Sequence, residues 1–325
     1  MKDRFLVLGV DVAKKTFDVS LLQEENRHKS ARFTNTSNGY KNLWKWLKKR
    51  KATGCFACLE ATGSYGENLA LFLHENGIQV SIVNPARVKG FRQSELGRTK
   101  TDEADAALIA RFCRAMKPDV WEPPASHVRM LQALVYRLEN LNTMLRQESN
   151  RLQVIHEGLK ENVKLSIQFI EKQISDLKKQ IKEHINKHED LKEKQKLLES
   201  IPGVGDVTIA TILTFLEQPQ KFRCAKQVAA FVGLNPKQCL SGSSVRGRTR
   251  LSKTGNSLLR RSLYMPALSA KRCNPVLAAF ARHLQKEGKS NMVILGAIMR
   301  KLMHIIYGVL KSGQPFNPSL CSPRA

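Results

Sequence analysis

The sequence predicts an α/β domain over residues 1–120, a pair of long helices over 121–199 and a mainly α-helical domain over 200–325. Three observations carry that division. Short apolar runs ending in acidic residues alternate with amphipathic segments in the first part, and apolar residues recur at spacings of three and four through the second. The third part is strongly basic and is punctuated by Gly and Pro. Charge follows the same boundaries: 21 Lys/Arg against 13 Asp/Glu in 1–120 (+8), 14 against 12 in 121–199 (+2) and 19 against 3 in 200–325 (+16). The last third is therefore the main surface for a polyanion. Its acids are Asp206, Glu217 and Glu287, too few and scattered for a metal site there, so carboxylate chemistry is expected from the first third.

Taken in order, residues 5–10 form a continuous apolar run ending in Asp11, the pattern of a central strand buried on both faces. Residues 15–22 alternate through Phe17, Val19 and Leu21 and suggest a hairpin partner, with Asp18 on its outer face; residues 31–34 complete a meander. A helix over 38–49 carries Leu43, Trp44 and Leu47 on one stripe. A buried strand over 54–59 follows and ends in Glu60. Residues 65–75 read as a helix stopped at Gly77, and residues 78–83 as a strand stopped by Asn84-Pro85. A further helix starts near Thr101 and carries Asp102 and Asp105 three residues apart on one face, with Glu103 pointing elsewhere. The order β-β-β-α-β-α-β-α is that of an RNase H-like fold. Asp11 and Glu60 stand where buried strands end, the place where open sheets bind ligands. Four carboxylates so arranged suit Mg²⁺, a hard cation that takes oxygen ligands and substrate phosphates, and a pair of such ions can clamp a phosphodiester.

The seven Cys are scattered, which fits a reducing cytoplasm, and Cys55-Phe-Ala-Cys58 reads as packing within an apolar run. The apolar N-terminal run is too short for a signal peptide, and residues 292–310 are interrupted by Arg300 and Lys301, as in a core helix rather than a membrane span. In the middle third, Leu131, Leu134, Leu138, Leu141, Leu145, Leu152, Ile155 and Leu159 form one heptad series. Ile167, Ile170, Ile174, Leu177 and Ile181 form a second, after a break near 161–162. The two helices can pair with each other or across protomers, and near-neutral charge suits a coiled-coil spacer and oligomerisation element. His184 and His188 are read as surface residues.

Residues 198–213 contain Ile201-Pro-Gly-Val-Gly205 and resemble a helix-hairpin-helix, whose turn presents backbone N–H groups to a nucleic-acid phosphate, so Gly203 and Gly205 are candidate contacts. Residues 240–255 read LSGSSVRGRTRLSKTG, rich in hydroxyls and cations and free of carboxylates. Ser241, Ser243 and Ser244 are candidate nucleophiles. Arg246, Arg248, Arg250 and Lys253 are candidate phosphate ligands, joined by Arg260 and Arg261 on the next helix. This loop looks like a hydroxyl nucleophile delivered to a phosphodiester. No His lies between His188 and His283, so a local Ser–His pair is unavailable and activation must come from elsewhere.

Asp11-Val-Ala-Lys14, Leu59-Glu-Ala-Thr-Gly63, Asn84-Pro85, Lys100-Thr-Asp-Glu-Ala-Asp-Ala106, Ile201-Pro-Gly-Val-Gly205 and Ser241-Gly-Ser-Ser-Val-Arg-Gly247 together resemble the DEDD transposases of the insertion-sequence-110 family, relatives of the Piv/MooV invertases. The resemblance implies a RuvC-like catalytic domain over 1–120, a coiled-coil insertion over 121–199 and a transposase domain over 200–325. It implies Mg²⁺ held by Asp11, Glu60, Asp102 and Asp105, with Ser241 as the nucleophile. It also implies a bridge RNA encoded by the element that guides the protein to double-stranded donor and target DNA. The expected assembly is a homo-oligomer, a dimer or tetramer, in the cytoplasm of a bacterial or archaeal cell. Two other readings use the same residues: a RuvC-like endonuclease or junction resolvase that uses water, and a non-enzymatic nucleic-acid-binding regulator.

Overall fold

A computed structural model of the chain describes residues 6–23, 27–61, 63–95, 101–241 and 245–321, with the backbone alone at 64, 238–241, 245–248, 320 and 321. The chain divides into two compact units, Met1–Pro123 and Pro124–Ala325.

In the first unit β1 (Val7–Val12), β2 (Thr16–Leu22) and β3 (His28–Thr34) form an antiparallel meander, followed by α1 (Ser37–Lys49). β4 (Phe56–Glu60) then pairs parallel with β1, α2 (Glu67–Glu75) crosses over, and β5 (Gln79–Val83) pairs parallel with β4. The strand order β3-β2-β1-β4-β5 is the expected RNase H-like, RuvC-like arrangement. α3 (Pro85–Ser94) and α4 (Asp102–Met116) complete the unit. The sequence reading stopped at Asn84-Pro85 and missed α3, although both residues are helix-start signals. The Asn84 side chain accepts from the Ala86 amide, and Pro85 occupies the first helical position.

Both faces of the sheet are covered. Leu8, Val10 and Val12 of β1 pack with Leu43, Leu47, Leu69 and Leu73 of α1 and α2. Val7 packs with Leu108, Ile109 and Phe112 of α4 on the opposite face. A side chain at Gly9 would run into the Ala106 carbonyl and the Ala110 amide, so α4 lies directly on β1 because residue 9 has none. The alternation Phe17, Val19, Leu21 put Asp18 on an outer face; that face is the one covered by α4, and Asp18 and Ser20 are buried on it. Cys55 and Cys58 belong to separate clusters on the two faces, and a hydrogen bond to Cys113 together with burial pushes the Cys58 thiol far up. They pack, as expected.

In the second unit α5 (Ser126–Val154) and α6 (Lys160–Lys187) pack antiparallel on each other, Leu131, Leu134, Leu138 and Leu141 against Ile170, Ile174, Leu177 and Ile181. The two heptad series thus pair within the chain, with the break at 155–159 rather than 161–162. α7 (Glu189–Glu199), α8 (Asp206–Phe215) and α9 (Ala225–Val232) follow. β6 (Pro236–Ser241) and β7 (Val245–Leu251) then form an antiparallel hairpin. The stretch read as a hydroxyl-rich loop is therefore mostly paired strand. α10 (Ser257–Ser262) and α11 (Tyr264–Cys273) are separated at Leu263, and α12 (Pro275–Lys286) and α13 (Asn291–Ser312) close the unit. α13 is long and apolar enough to cross a membrane, yet Ile294, Ile298, Leu302 and Ile306 are fully buried in the unit's core, as expected of a core helix. One hydrophobic cluster runs from Val128 to Leu310, so segments 121–199 and 200–325 share a core.

Candidate active site

Alternation along the strands decides which side chains meet, because residues two apart share a face. On β1, Asp11 follows Val7 and Gly9 on the face that α4 covers. Val10 pairs with Leu59 in the parallel ladder, so Asp11 and Glu60 leave adjacent strands side by side, Glu60 sharing its face with Cys58. Asp11 pairs directly with Asp18 across the β1–β2 hairpin, and Asp18 pairs with Arg32 of β3. α4 begins at the same end of the sheet, its first turn carrying Asp102 and Asp105, and Thr101 caps it by accepting from the Ala104 amide. Close approach at Gly9 sets that first turn over the strand ends.

The acids feel one another. The Asp11 carboxyl rises from 3.8 to about 6, first because it is half-buried and then because Asp105, Asp102, Glu60 and Asp18 repel its charge. Glu60 is also pushed up, by burial and by Asp105, with Arg92 opposing. Two arginines hold the outer members. Arg92 of α3 donates to Asp105 at 2.6 Å, and Arg32 binds Asp18 at 3.0 Å and Asp102 at 2.9 Å. The Arg92–Asp105 pair is largely enclosed. The Arg32–Asp102 pair is mostly exposed, with 57% and 64% of the side chains accessible, and such a pair contributes no more than ~1 kcal/mol. Asp18 and Asp102 line a cleft of about 580 Å³ together with Ser30, Arg32 and Thr101, while Glu103 is exposed at its edge. An all-oxygen set of mutually repelling carboxylates is the donor chemistry a hard divalent cation neutralises. The four acids singled out from the sequence are thus brought to one end of one sheet face. Asp18, Arg32 and Arg92 were missed as members. The short link between β1 and β2 was the available signal for Asp18, because it pairs Asp11 with Asp18.

In the second unit the expected contacts divide. Ser241 ends β6, pairing with Val245, and Arg246 pairs with Leu240. One extra residue in β7 between the pairs Cys239–Gly247 and Lys237–Arg250 makes a bulge, which interrupts regular alternation between Arg246 and Arg250. The side chains of Ser241, Arg246 and Arg248, and Ser243 and Ser244 altogether, lie outside the described residues. Arg250 and Lys253 are exposed. Arg260 instead turns inward and donates to the Val232 carbonyl at 2.9 Å, and burial lowers its guanidinium, with Arg261 adding repulsion. Arg261 is exposed and pairs with Glu139 of α5 at 3.2 Å.

The two turn glycines also differ. Gly203 has φ of 96°, and a side chain there would strike the backbone of Ala270, so its role is a left-handed turn packed under α11. Gly205 is the N-cap of α8, and a side chain added there would meet nothing within 4 Å. Both line a cleft of about 830 Å³ with Lys178, Lys179 and Lys182 of α6. Those lysines were assigned to a neutral spacer, and only the packing of α6 beside the turn associates them with it.

A transposase family model of the DEDD IS110 type matches residues 8–159, and a second, Transposase IS116/IS110/IS902 family, matches residues 195–282. The pilin gene-inverting protein of Moraxella bovis is 32% identical over 95% of this chain and 97% of its own length, and that of Moraxella lacunata matches equally. A transposase for insertion sequence element IS1111A from Coxiella burnetii is 24% identical over 93% of this chain and 84% of its own. A solved Thermus thermophilus RuvC overlaps 36% of this chain and all of its own at 14% identity and a TM-score of 0.27; the fold assignment rests on the strand order. The chain belongs to the IS110 family of transposases, recombinases of DNA.

Proposed function

We propose that this transposase cuts and rejoins donor and target DNA through a phosphoserine link at Ser241, with Mg²⁺ held by Asp11, Glu60, Asp102 and Asp105 and with a structured bridge RNA choosing the sites. The observation that carries the reading is the gathering of four carboxylates at one end of the β1–β4 face, where burial first and then mutual repulsion raise Asp11 and Glu60. Mg²⁺ there supplies charge neutralisation at the phosphate and lowers the pKa of a nearby hydroxyl. The chain's own residues do the rest. Arg32 and Arg92 hold Asp102 and Asp105 in place, so the first turn of α4 stays set against β1 and β4. The Ser241 hydroxyl attacks the phosphorus, the bridging DNA oxygen leaves and takes up a proton, and the phosphoserine ester conserves the bond for a second strand. Arg246 and Arg248 stabilise the charge added at the phosphate. Arg250, Lys253, Arg261 and the turn at Gly203 and Gly205 grip the backbones of double-stranded DNA and RNA.

The composition supports an external guide. Aromatic residues make up 6% of the chain, too few for recognition by base stacking, whereas the charge of +26 suits contacts to phosphate. Oligomerisation has support on α6, where Leu165 and Phe169, four residues apart, are 58% and 62% exposed.

The test incubates the protein with Mg²⁺, its RNA and end-labelled target DNA, then denatures in detergent. Label that migrates with protein, and is lost in Ser241→Ala and Asp102→Ala, is the expected result. Free cleaved DNA with no adduct, persisting in Ser241→Ala, would replace this reading with a water-using, metal-dependent nuclease.

A further inference from the structure

At the foot of the α5–α6 pair, within the second unit, side chains from three segments converge. His127 stands in the first turn of α5, Asp190 in the first turn of α7, and Glu217 just beyond α8. One ligand atom from each lies within 4.8 Å of the others, and His127 Nε2 is 3.0 Å from Asp190 Oδ2. The local chain is arranged around them. His184 Nε2 donates to the His127 carbonyl at 2.7 Å, and the His188 ring stacks on the His127 ring at 4.5 Å. Lys194 donates to the Glu217 carbonyl at 2.9 Å and so fixes the loop that carries the third ligand.

We infer that His127, Asp190 and Glu217 bind a divalent transition metal of the zinc class, with water completing the coordination, and that the ion clasps the foot of α5 to α7 and to the loop after α8. Imidazole with two carboxylates is the donor set of Zn²⁺ and its neighbours, whereas Mg²⁺ favours oxygen alone. Bonds of ~2.0–2.1 Å place neighbouring tetrahedral ligands roughly 3.3 Å apart. The His127–Asp190 spacing is already close to that, and a rotation of the Glu217 side chain, which is partly exposed, closes the remainder. On metal binding the Nε2 proton now directed at Asp190 goes to solvent and the ion takes its place between nitrogen and oxygen. The stacked His188 and the His184 contact then act as the outer shell that fixes the ligand ring.

Because the N-terminal carboxylates also attract cations, the test uses the full chain in excess Mg²⁺ and titrates Zn²⁺ by calorimetry, with thermal unfolding recorded in parallel. One tight equivalent is expected on the native protein and on Asp11→Asn. Its affinity should fall at least about tenfold in His127→Gln and in Glu217→Gln, and the Zn²⁺-dependent rise in Tm should vanish with it. Glu217→Gln, on a loop, serves if His127→Gln fails to fold. No equivalent on the native chain, one unchanged in Glu217→Gln, or one lost in Asp11→Asn would overturn the assignment.

Discussion

The two units handle charge in opposite ways. In the first, acids are pressed together at one end of a buried sheet, and burial together with their repulsion raises the Asp11 carboxyl to about 6. In the second, 33 Lys/Arg stand against 14 Asp/Glu along the sequence, and the cations seen individually are spread over α6, β7 and α10. Gathering like charges needs a rigid frame, because repulsion would otherwise separate them; two-sided packing of β1 and contact of α4 at Gly9 provide it. A dispersed basic surface needs no such frame, since each cation meets its own phosphate and repels its neighbours weakly through water. The first arrangement is therefore sensitive to single packing changes and the second to the number of charges.

The frame is the easiest part to break. Gly9→Val should force α4 off β1, with a loss of roughly 3 kcal/mol or more in denaturant unfolding and loss of DNA cleavage. Unchanged stability would mean that α4 does not depend on contact at residue 9.

Protonation offers a finer probe. With its folded-state value raised from 3.8 to about 6, Asp11 destabilises the metal-free fold fully above pH 6, partly between the two values and not at all below 3.8. The size is on the order of 3 kcal/mol at most. Without divalent cations, native stability relative to Asp11→Asn should thus fall as pH rises from 4 to 6, and added Mg²⁺ should remove the difference while Asp11→Asn remains inactive. A pH-independent difference in metal-free unfolding curves would show that burial and neighbouring acids do not raise Asp11 as the geometry requires.

The smallest effects separate structural from surface cations. Arg260→Ala leaves the Val232 carbonyl without its donor and should lower stability by ~1–3 kcal/mol, with little change in the salt dependence of DNA binding. Lys253→Ala should do the reverse, leaving Tm unchanged and reducing the slope of log affinity against log salt by about 1. Equal behaviour of the two variants would erase the distinction between them.

Much of the first unit was legible because its signals are local. Apolar runs ending at Asp11 and Glu60 and the Asp102–Asp105 spacing describe strand ends and a helix face without reference to the rest of the chain. Asp18 was misplaced because alternation identifies two faces but not which is solvent, and here neither is. The β6–β7 hairpin was read as a loop because Gly, Ser and Arg dominate it, and its pairing comes from the ladder rather than from apolar alternation.

By itself the sequence determined the RNase H-like order of elements, the separation of acidic and basic chemistry, the four acids and the family, since these rest on periodicity, composition and motif spacing. The tertiary structure alone decided that Arg260 is held on the Val232 carbonyl and that Lys178 lies beside the Gly205 turn. It alone brought His127 to Asp190 and Glu217, residues 63 and 90 positions further along. Those pairings depend on strand register and on which helix covers which face, and both are set by the burial of the whole core rather than by any local stretch of chain.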